Sequence, residues 1–140
     1  QASGESGMLF VAAAGNGGPE AAPAFPAAYS YVIAVTAVDG RKSIYMYANR
    51  GRYVDFAAPG VKVWTAVPGG GRAQSGTSFA APYVSVLTAL EIARGRARSA
   101  ADVRARLRAR AVDLGTPGRD KVFGWGLIGP SRACRRSIAG

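Results

Sequence analysis

The sequence contains no histidine. A serine hydroxyl is a poor nucleophile at neutral pH and needs an adjacent general base. Imidazole is the usual one, held by a buried carboxylate, so this chain alone lacks the ordinary means of activating a serine. One cysteine, Cys134, excludes an intrachain disulfide and says little about redox compartment. No apolar run reaches the roughly 18 residues of a membrane-spanning helix, so no membrane partner is expected. The first residues, Gln1-Ala2-Ser3-Gly4-Glu5-Ser6-Gly7, have neither an initiator methionine nor a basic-then-apolar signal pattern. The expectation is that sequence lies upstream of Gln1. Acidic residues are few, 8 against 18 lysines and arginines. No zinc-ligand spacing, RNA-recognition motif or basic zipper is present. Gly69-Gly70-Gly71-Arg72 reads as a tight turn and not a phosphate loop, because no Gly-Lys-Ser/Thr follows it.

What remains is 140 residues, 49% hydrophobic, enough for one domain with its own core. The stretch Gln74-Ser75-Gly76-Thr77-Ser78-Phe79-Ala80-Ala81-Pro82 joins an extended run to a helical one. Upstream, Val61, Val63, Thr65 and Val67 alternate as on a strand. Downstream, residues 78–93 are mostly Ala, Leu, Val and Ile and are long enough for a buried helix. Proline is cheap only in the first helical turn, so Pro82 places the helix start near Thr77 or Ser78. Ser78 then has two readings. It is a helix N-cap, the commonest task for serine there, or a nucleophile whose oxyanion the free N–H groups and dipole of the helix end would stabilise.

Residues 8–14 are continuously apolar, as in a parallel strand covered on both faces, and Gly15-Asn16-Gly17-Gly18-Pro19 ends them. By local sequence Asn16 is a turn residue. Residues 32–38 read as a second buried strand, closed by a turn at Asp39-Gly40. Residues 41–53 mix Tyr45, Tyr47, Arg50, Arg52 and Tyr53, read as a solvated loop. Residues 53–57 and 61–67 read as short strands separated by Ala58-Pro59-Gly60. A second helix is predicted over residues 99–112. Ser99 and Asp102 form its capping box, and at about 100° per residue Ala100, Val103, Leu107 and Ala111 share its apolar face.

Gly76-Thr77-Ser78-Phe79-Ala80-Ala81-Pro82 resembles the nucleophile motif of the subtilisin-like serine proteases, Gly-Thr-Ser-(Met or Phe)-Ala-(small)-Pro. Four further blocks agree with that family, in its order. They are Val11-Ala12-Ala13-Ala14-Gly15-Asn16-Gly17-Gly18; Phe25-Pro26-Ala27-Ala28-Tyr29 with residues 32–39; Asp55-Phe56-Ala57-Ala58-Pro59-Gly60; and Phe123-Gly124-Trp125-Gly126-Leu127-Ile128. The resemblance covers residues 8–133. It implies the C-terminal half of a three-layer α/β domain, with a mostly parallel sheet and a short antiparallel strand pair. Residues 1–134 would belong to the peptidase domain and 135–140 to a basic, disordered tail.

The resemblance also implies roles. Ser78 would be the nucleophile, and Asn16 an oxyanion-hole donor with the Ser78 backbone N–H. Loss of such a donor in a subtilisin lowers kcat about 10²–10³-fold. Ala13, Ala14 and Gly15 would line one wall of the pocket for the residue before the scissile bond, with Ala24 and Ala27 near its floor. These small, uncharged side chains would suit a mid-sized to large apolar residue. The family's order of Asp, His, Ser puts the base and its orienting acid upstream of Ser78. The expected partner is therefore the N-terminal half of the domain, and the isolated chain is expected to be inactive and unstable. Asp55 matches a structural block and not the catalytic acid. No cofactor is required, and structural calcium is possible without an assignable site. A polypeptide substrate and secretion, or a cell-envelope location, follow from the family alone. The sequence departs from the family where Tyr83 replaces a usual histidine and where Ser85-Val86 replaces Ala-Gly, which adds volume on the helix.

The net charge of +10 and pI near 10.7 raise nucleic-acid binding as a rival reading. Arg104 and Arg108 fall on one side of the second helix, however, with Arg106 and Arg110 nearly opposite. Such a spread reads as a solvated surface, without specific nucleic-acid binding. A non-catalytic scaffold that keeps the fold is the other rival.

Overall fold

The structure is a computed structural model that describes residues 8–129. Cys134, the basic tail and the polar start of the chain lie outside the described residues. Three strands, β1 (Phe10–Ala13), β2 (Val32–Val38) and β3 (Phe56–Pro59), form a parallel sheet in the order β1-β2-β3. A strand covered on both faces needs an unbroken apolar run. β2 meets this: all seven of its residues are buried. Alternation along β2 sends Ile33, Val35 and Ala37 to the face that carries the main core.

That core is closed by two helices, α1 (Thr77–Ala93) and α2 (Ala100–Arg108). Ala80, Val84 and Leu87 of α1 and Val103 and Leu107 of α2 meet Phe56, Ala58 and Ile128 there. The spacing i, i+4, i+7 places the α1 residues on one stripe. On the other side of β2, Val32, Ala34, Thr36 and Val38 are equally buried, as are Ala48, Asn49 and Val54 of the segment that follows it. Among the described residues no helix is long and apolar enough to cross a membrane.

The expected antiparallel pair is present, and its second strand takes in residues read from sequence as a turn. β4 (Val63–Val67) pairs with β5 (Gly70–Gln74). The turn is Pro68-Gly69, with Gly69 at φ 84°, so Gly70, Gly71 and Arg72 belong to the strand and not to the turn. β3 lies at residues 56–59 instead of 53–57. Its position is set by the parallel register with β2, where Val35 pairs with Phe56 and Val38 with Pro59. α2 stops at Arg108, short of residue 112, because Val112 leaves the helix to exchange backbone hydrogen bonds with Leu127 at 2.9 Å.

Two further expectations need correcting. α1 starts where predicted, but Pro82 is its sixth residue and not in its first turn. The helix runs through it, and the carbonyl of Ser78 receives no N–H from position 82. The arginines at 104–110 are a solvated surface only in part: Arg106 is exposed, while the other three have partners. Arg104 pairs with Asp55 at 3.3 Å, Arg110 with the buried Glu91 at 3.1 Å, and the Arg108 guanidinium lies 3.6 Å from the ring centre of Trp125. Val86 is 60% exposed, so most of its added volume faces outward.

Candidate active site

The site is built where the turn after β1 meets the start of α1. The N-cap position of α1 is Gly76, two residues before Ser78, and that residue has no side chain with which to cap the helix. Ser78 is therefore inside the first turn, which excludes the N-cap reading. Its side chain is exposed and has no hydrogen-bond partner among the described residues. No acidic residue occupies that first turn, so the positive end of the helix is left without a compensating charge.

Gly76 has φ 157° and ψ 159°, a region open in practice only to glycine. That backbone sets the angle at which β5 enters α1. The Gly76 N–H donates to the Gly60 carbonyl at 2.8 Å, which anchors the entry to the end of β3.

Asn16 is held against the same turn of helix. Its Oδ1 accepts from the Thr77 N–H and from the Thr77 hydroxyl, both at 2.9 Å. Thr77 Oγ1 in turn accepts from the Gly15 N–H at 3.2 Å. Three hydrogen bonds thus join residues more than 60 positions apart, fixing Asn16 beside the serine. With Oδ1 engaged, the free polar end of Asn16 is its Nδ2 donor, on the side of Gly76. A carboxamide N–H, a serine hydroxyl and the Ser78 backbone N–H in one place form a site that can receive a developing negative oxygen.

The turn that carries Asn16 is braced from behind by Asn49, which is 4% exposed. Its Oδ1 accepts from the Gly17 N–H at 2.7 Å, its Nδ2 donates to the Ala22 carbonyl at 3.0 Å, and its backbone N–H donates to Gly15 O at 3.0 Å. Gly15, at φ 111°, must be glycine, since a Cβ there would come within 2.7 Å of Asn49 Nδ2. The Tyr53 hydroxyl donates to the Ala14 carbonyl at 2.6 Å. Sequence reasoning missed the parts played by Asn49 and Thr77. Asn49 had no local signal, whereas Thr77 stood inside the motif.

The predicted pocket residues are brought together unevenly. Ala24 lies against Gly15, 3.0 Å from where a Cβ on that glycine would be. Ala13 is half-buried on β1, whereas Ala14 is fully buried and Ala27 only 1% exposed. The Ala14 backbone is engaged on both sides, its N–H with the Val35 carbonyl and its carbonyl with the Tyr53 hydroxyl. Among the described residues no three His, Cys, Asp or Glu side chains cluster as a metal ion would need.

Asp55 lies apart from the serine. Buried to 4% exposure, it accepts from Arg104 Nε at 3.3 Å, Arg119 at 3.1 Å and the Ala34 N–H at 3.1 Å. Arg104 also donates to the Ser30 and Val32 carbonyls, and Arg119 to those of Arg52 and Val54. Asp55 is a structural clamp, with no contact to the serine.

The same architecture occurs in known proteins. The minor extracellular protease Epr of Bacillus subtilis is 40% identical over 125 residues, which are 89% of this chain and 19% of that protein. Subtilisin DY of Bacillus licheniformis is 37% identical over 93% of this chain and 48% of its own length. Halolysin of Haloferax mediterranei is 43% identical over 76% of this chain and 21% of its own. A solved lanthipeptide protease superimposes with a TM-score of 0.78 at 28% identity, covering 90% of this chain and 50% of that one. The chain thus spans about half the length of these relatives, or less. A model of the Subtilase family matches residues 1–126, and the chain belongs to that family.

Proposed function

We propose that the chain carries the nucleophile half of a serine endopeptidase. The observation that carries this reading is the unpartnered Ser78 hydroxyl on the first turn of α1, beside an Asn16 whose Oδ1 is occupied by Thr77. Ser78 Oγ attacks the scissile carbonyl carbon and gives its proton to a general base. The carbonyl oxygen becomes an oxyanion held by Asn16 Nδ2 and the Ser78 backbone N–H. Collapse breaks the C–N bond, and the base returns the proton to the leaving amine. The remaining acyl-enzyme on Ser78 is hydrolysed by water in the same two stages. Ala13, Ala14, Gly15 and Ala24 form one side of the subsite for the residue before the cleaved bond, with Ala27 supporting it from behind. No cofactor takes part, and structural calcium stays unassigned.

With no histidine in the 140 residues, the base and its orienting acid come from outside them, on the N-terminal half of the domain. β1 supports that half's docking position, since it is an edge strand among the described residues. Between β1 and α1 lies a hollow of about 410 Å³, lined by Leu9, Phe10, Val11, Ala89 and Ile92 together with Ser85 and Thr88. A mostly apolar hollow beside an open strand edge calls for a covering layer. The relatives named as extracellular support a secreted protein.

Fluorophosphonate labelling read by mass spectrometry tests this. Ser78 should be labelled in the full-length protein that contains this chain, and not in the isolated 140 residues. Failure to label Ser78 in either would overturn the catalytic reading in favour of a scaffold that binds without cutting.

A further inference from the structure

Folding consumes part of the chain's positive charge and leaves the rest unevenly placed. Arg104, Arg110 and Arg119 are engaged by Asp55 and Glu91, and Arg108 by Trp125. Arg50, Arg52 and Lys121 are exposed and have no carboxylate partner among the described residues. These three cations sit together. A hollow of about 610 Å³ is lined by Arg52, Arg119, Lys121 and Val122, and one of about 520 Å³ by Arg50, Arg52, Lys121, Val122 and Ala21. The two share Arg52, Lys121 and Val122. A third, of about 480 Å³, continues from Arg52 and Arg119 to Tyr29 and Trp125.

The acids along this groove cancel the cations only in part. Asp55 is neutralised by its two arginines. The Asp120 carboxylate is turned to the backbone, where it accepts from the N–H groups of Thr116, Val122 and Phe123 at 2.7–3.1 Å. Glu20 and Asp120, which keeps its charge while bonded to the backbone, are left to oppose Arg50, Arg52 and Lys121. Three outward cations spaced by Val122 and Ala21 make a surface for carboxylates carried on a chain with small apolar residues between them.

We infer that this groove binds an acidic segment of polypeptide, at a site separate from the nucleophile. A nucleic acid strand is the alternative anion, and it needs aromatic faces on which bases can stack. Those near the groove are already engaged in part, though Tyr29 keeps 45% of its surface exposed. The Trp125 ring is covered by Arg108, and Tyr29 stacks on Tyr31 at 5.4 Å with Phe25 4.7 Å away on it. The groove also adjoins the candidate active site through one short segment. Gly51 N–H donates to the Lys121 carbonyl at 2.8 Å, two residues from the Asn49 that braces the turn of Asn16. A substrate with an acidic stretch would therefore be gripped behind the turn that carries the oxyanion donor. Only the choice of a polypeptide as ligand rests on the proposed function; the charge geometry stands without it.

The test is binding, measured in the full-length protein with Ser78→Ala so that cleavage plays no part. The probe is a fluorescein-labelled peptide alternating Glu and Ala, followed by anisotropy. R50Q/R52Q/K121Q should weaken binding about tenfold, from three exposed contacts. R94Q/R96Q/R98Q, an equal loss of charge on another surface, should change it less than about twofold. Equal weakening by both variants, or by neither, overturns the inference. Tighter, equally groove-dependent binding of a single-stranded oligonucleotide would overturn it too, by giving the groove to nucleic acid.

Discussion

At the start of α2, Ser99 Oγ accepts from the Asp102 N–H, and Asp102 Oδ2 accepts from the Ser99 and Arg98 N–H groups at 3.0–3.1 Å. At the start of α1 the cap position is a glycine with no side chain to offer, and the acceptor for the first helical N–H, that of Thr77, is Asn16 Oδ1 from 61 positions away. Both helices cover the same face of the sheet, so core packing does not explain the difference. Where a helix has only to be stable, its free N–H groups are satisfied from within. At α1 the Thr77 and Phe79 N–H groups are taken by Asn16 and by the Gly76 carbonyl, and Ser78 between them keeps an unpartnered hydroxyl, so the end is supported from a distance and stays open at one residue.

The largest effect that would sharpen this contrast is Ser78→Ala. Turnover of a peptide ester by the full-length protein should fall by a factor on the order of 10⁶, while the melting temperature stays within experimental error, because the side chain is exposed and makes no hydrogen bond. Asn16→Ala should lower kcat about 10²–10³-fold with KM little changed. Thr77→Val, which removes the hydroxyl that fixes Asn16, should lose part of the same factor. At α2 the expected losses are of stability and not of rate. Asp55→Ala leaves Arg104 and Arg119 without their shared carboxylate and should cost about 3 kcal/mol in denaturant unfolding. Ser99→Ala should cost about 1 kcal/mol by the same assay and leave turnover unchanged. If Ser99→Ala slowed turnover as Asn16→Ala does, the contrast between the helix ends would fail.

The smallest effect is one of pH. The Arg98 backbone N–H, and then Ser99, hold the Asp102 carboxyl below its ordinary value of 3.8. A carboxylate lowered on folding stabilises the fold above its unfolded pKa, and that contribution disappears as pH falls through the folded one. The melting-temperature difference between the parent and Asp102→Asn should therefore be present at neutral pH and shrink below 3.8.

Much of this contrast is legible in the sequence because it is local. A capping box spans four residues, so Ser99 and Asp102 announce it. The continuous apolar run 32–38 marks β2 to the residue. Strand β3 is misplaced, and the second hairpin strand is read as a turn, because their ends are set by pairing with another strand. The site is legible as a motif but not as a mechanism of support. Nothing near Asn49 reveals that it holds residues 15–22, since those contacts span 27 to 34 positions, and nothing near Thr77 reveals its bond to Asn16 across 61. The arginines of α2 read as solvent-facing for the same reason. Their partners lie elsewhere in the chain, and helical periodicity describes only which side of the cylinder a residue is on.

The Asp55 clamp has a consequence in the order of synthesis. Asp55 leaves the ribosome 49 residues before Arg104 and 64 before Arg119. During that interval the Asp55 carboxylate cannot be buried without leaving a charge unpaired in the interior. The first half of β2 and the start of β3 therefore stay open until residues 100–119 arrive. Such long-range closures slow folding. The clamp thus makes the parallel sheet wait for its covering helices, and a chain arrested between residues 93 and 104 would hold α1 but not a closed sheet.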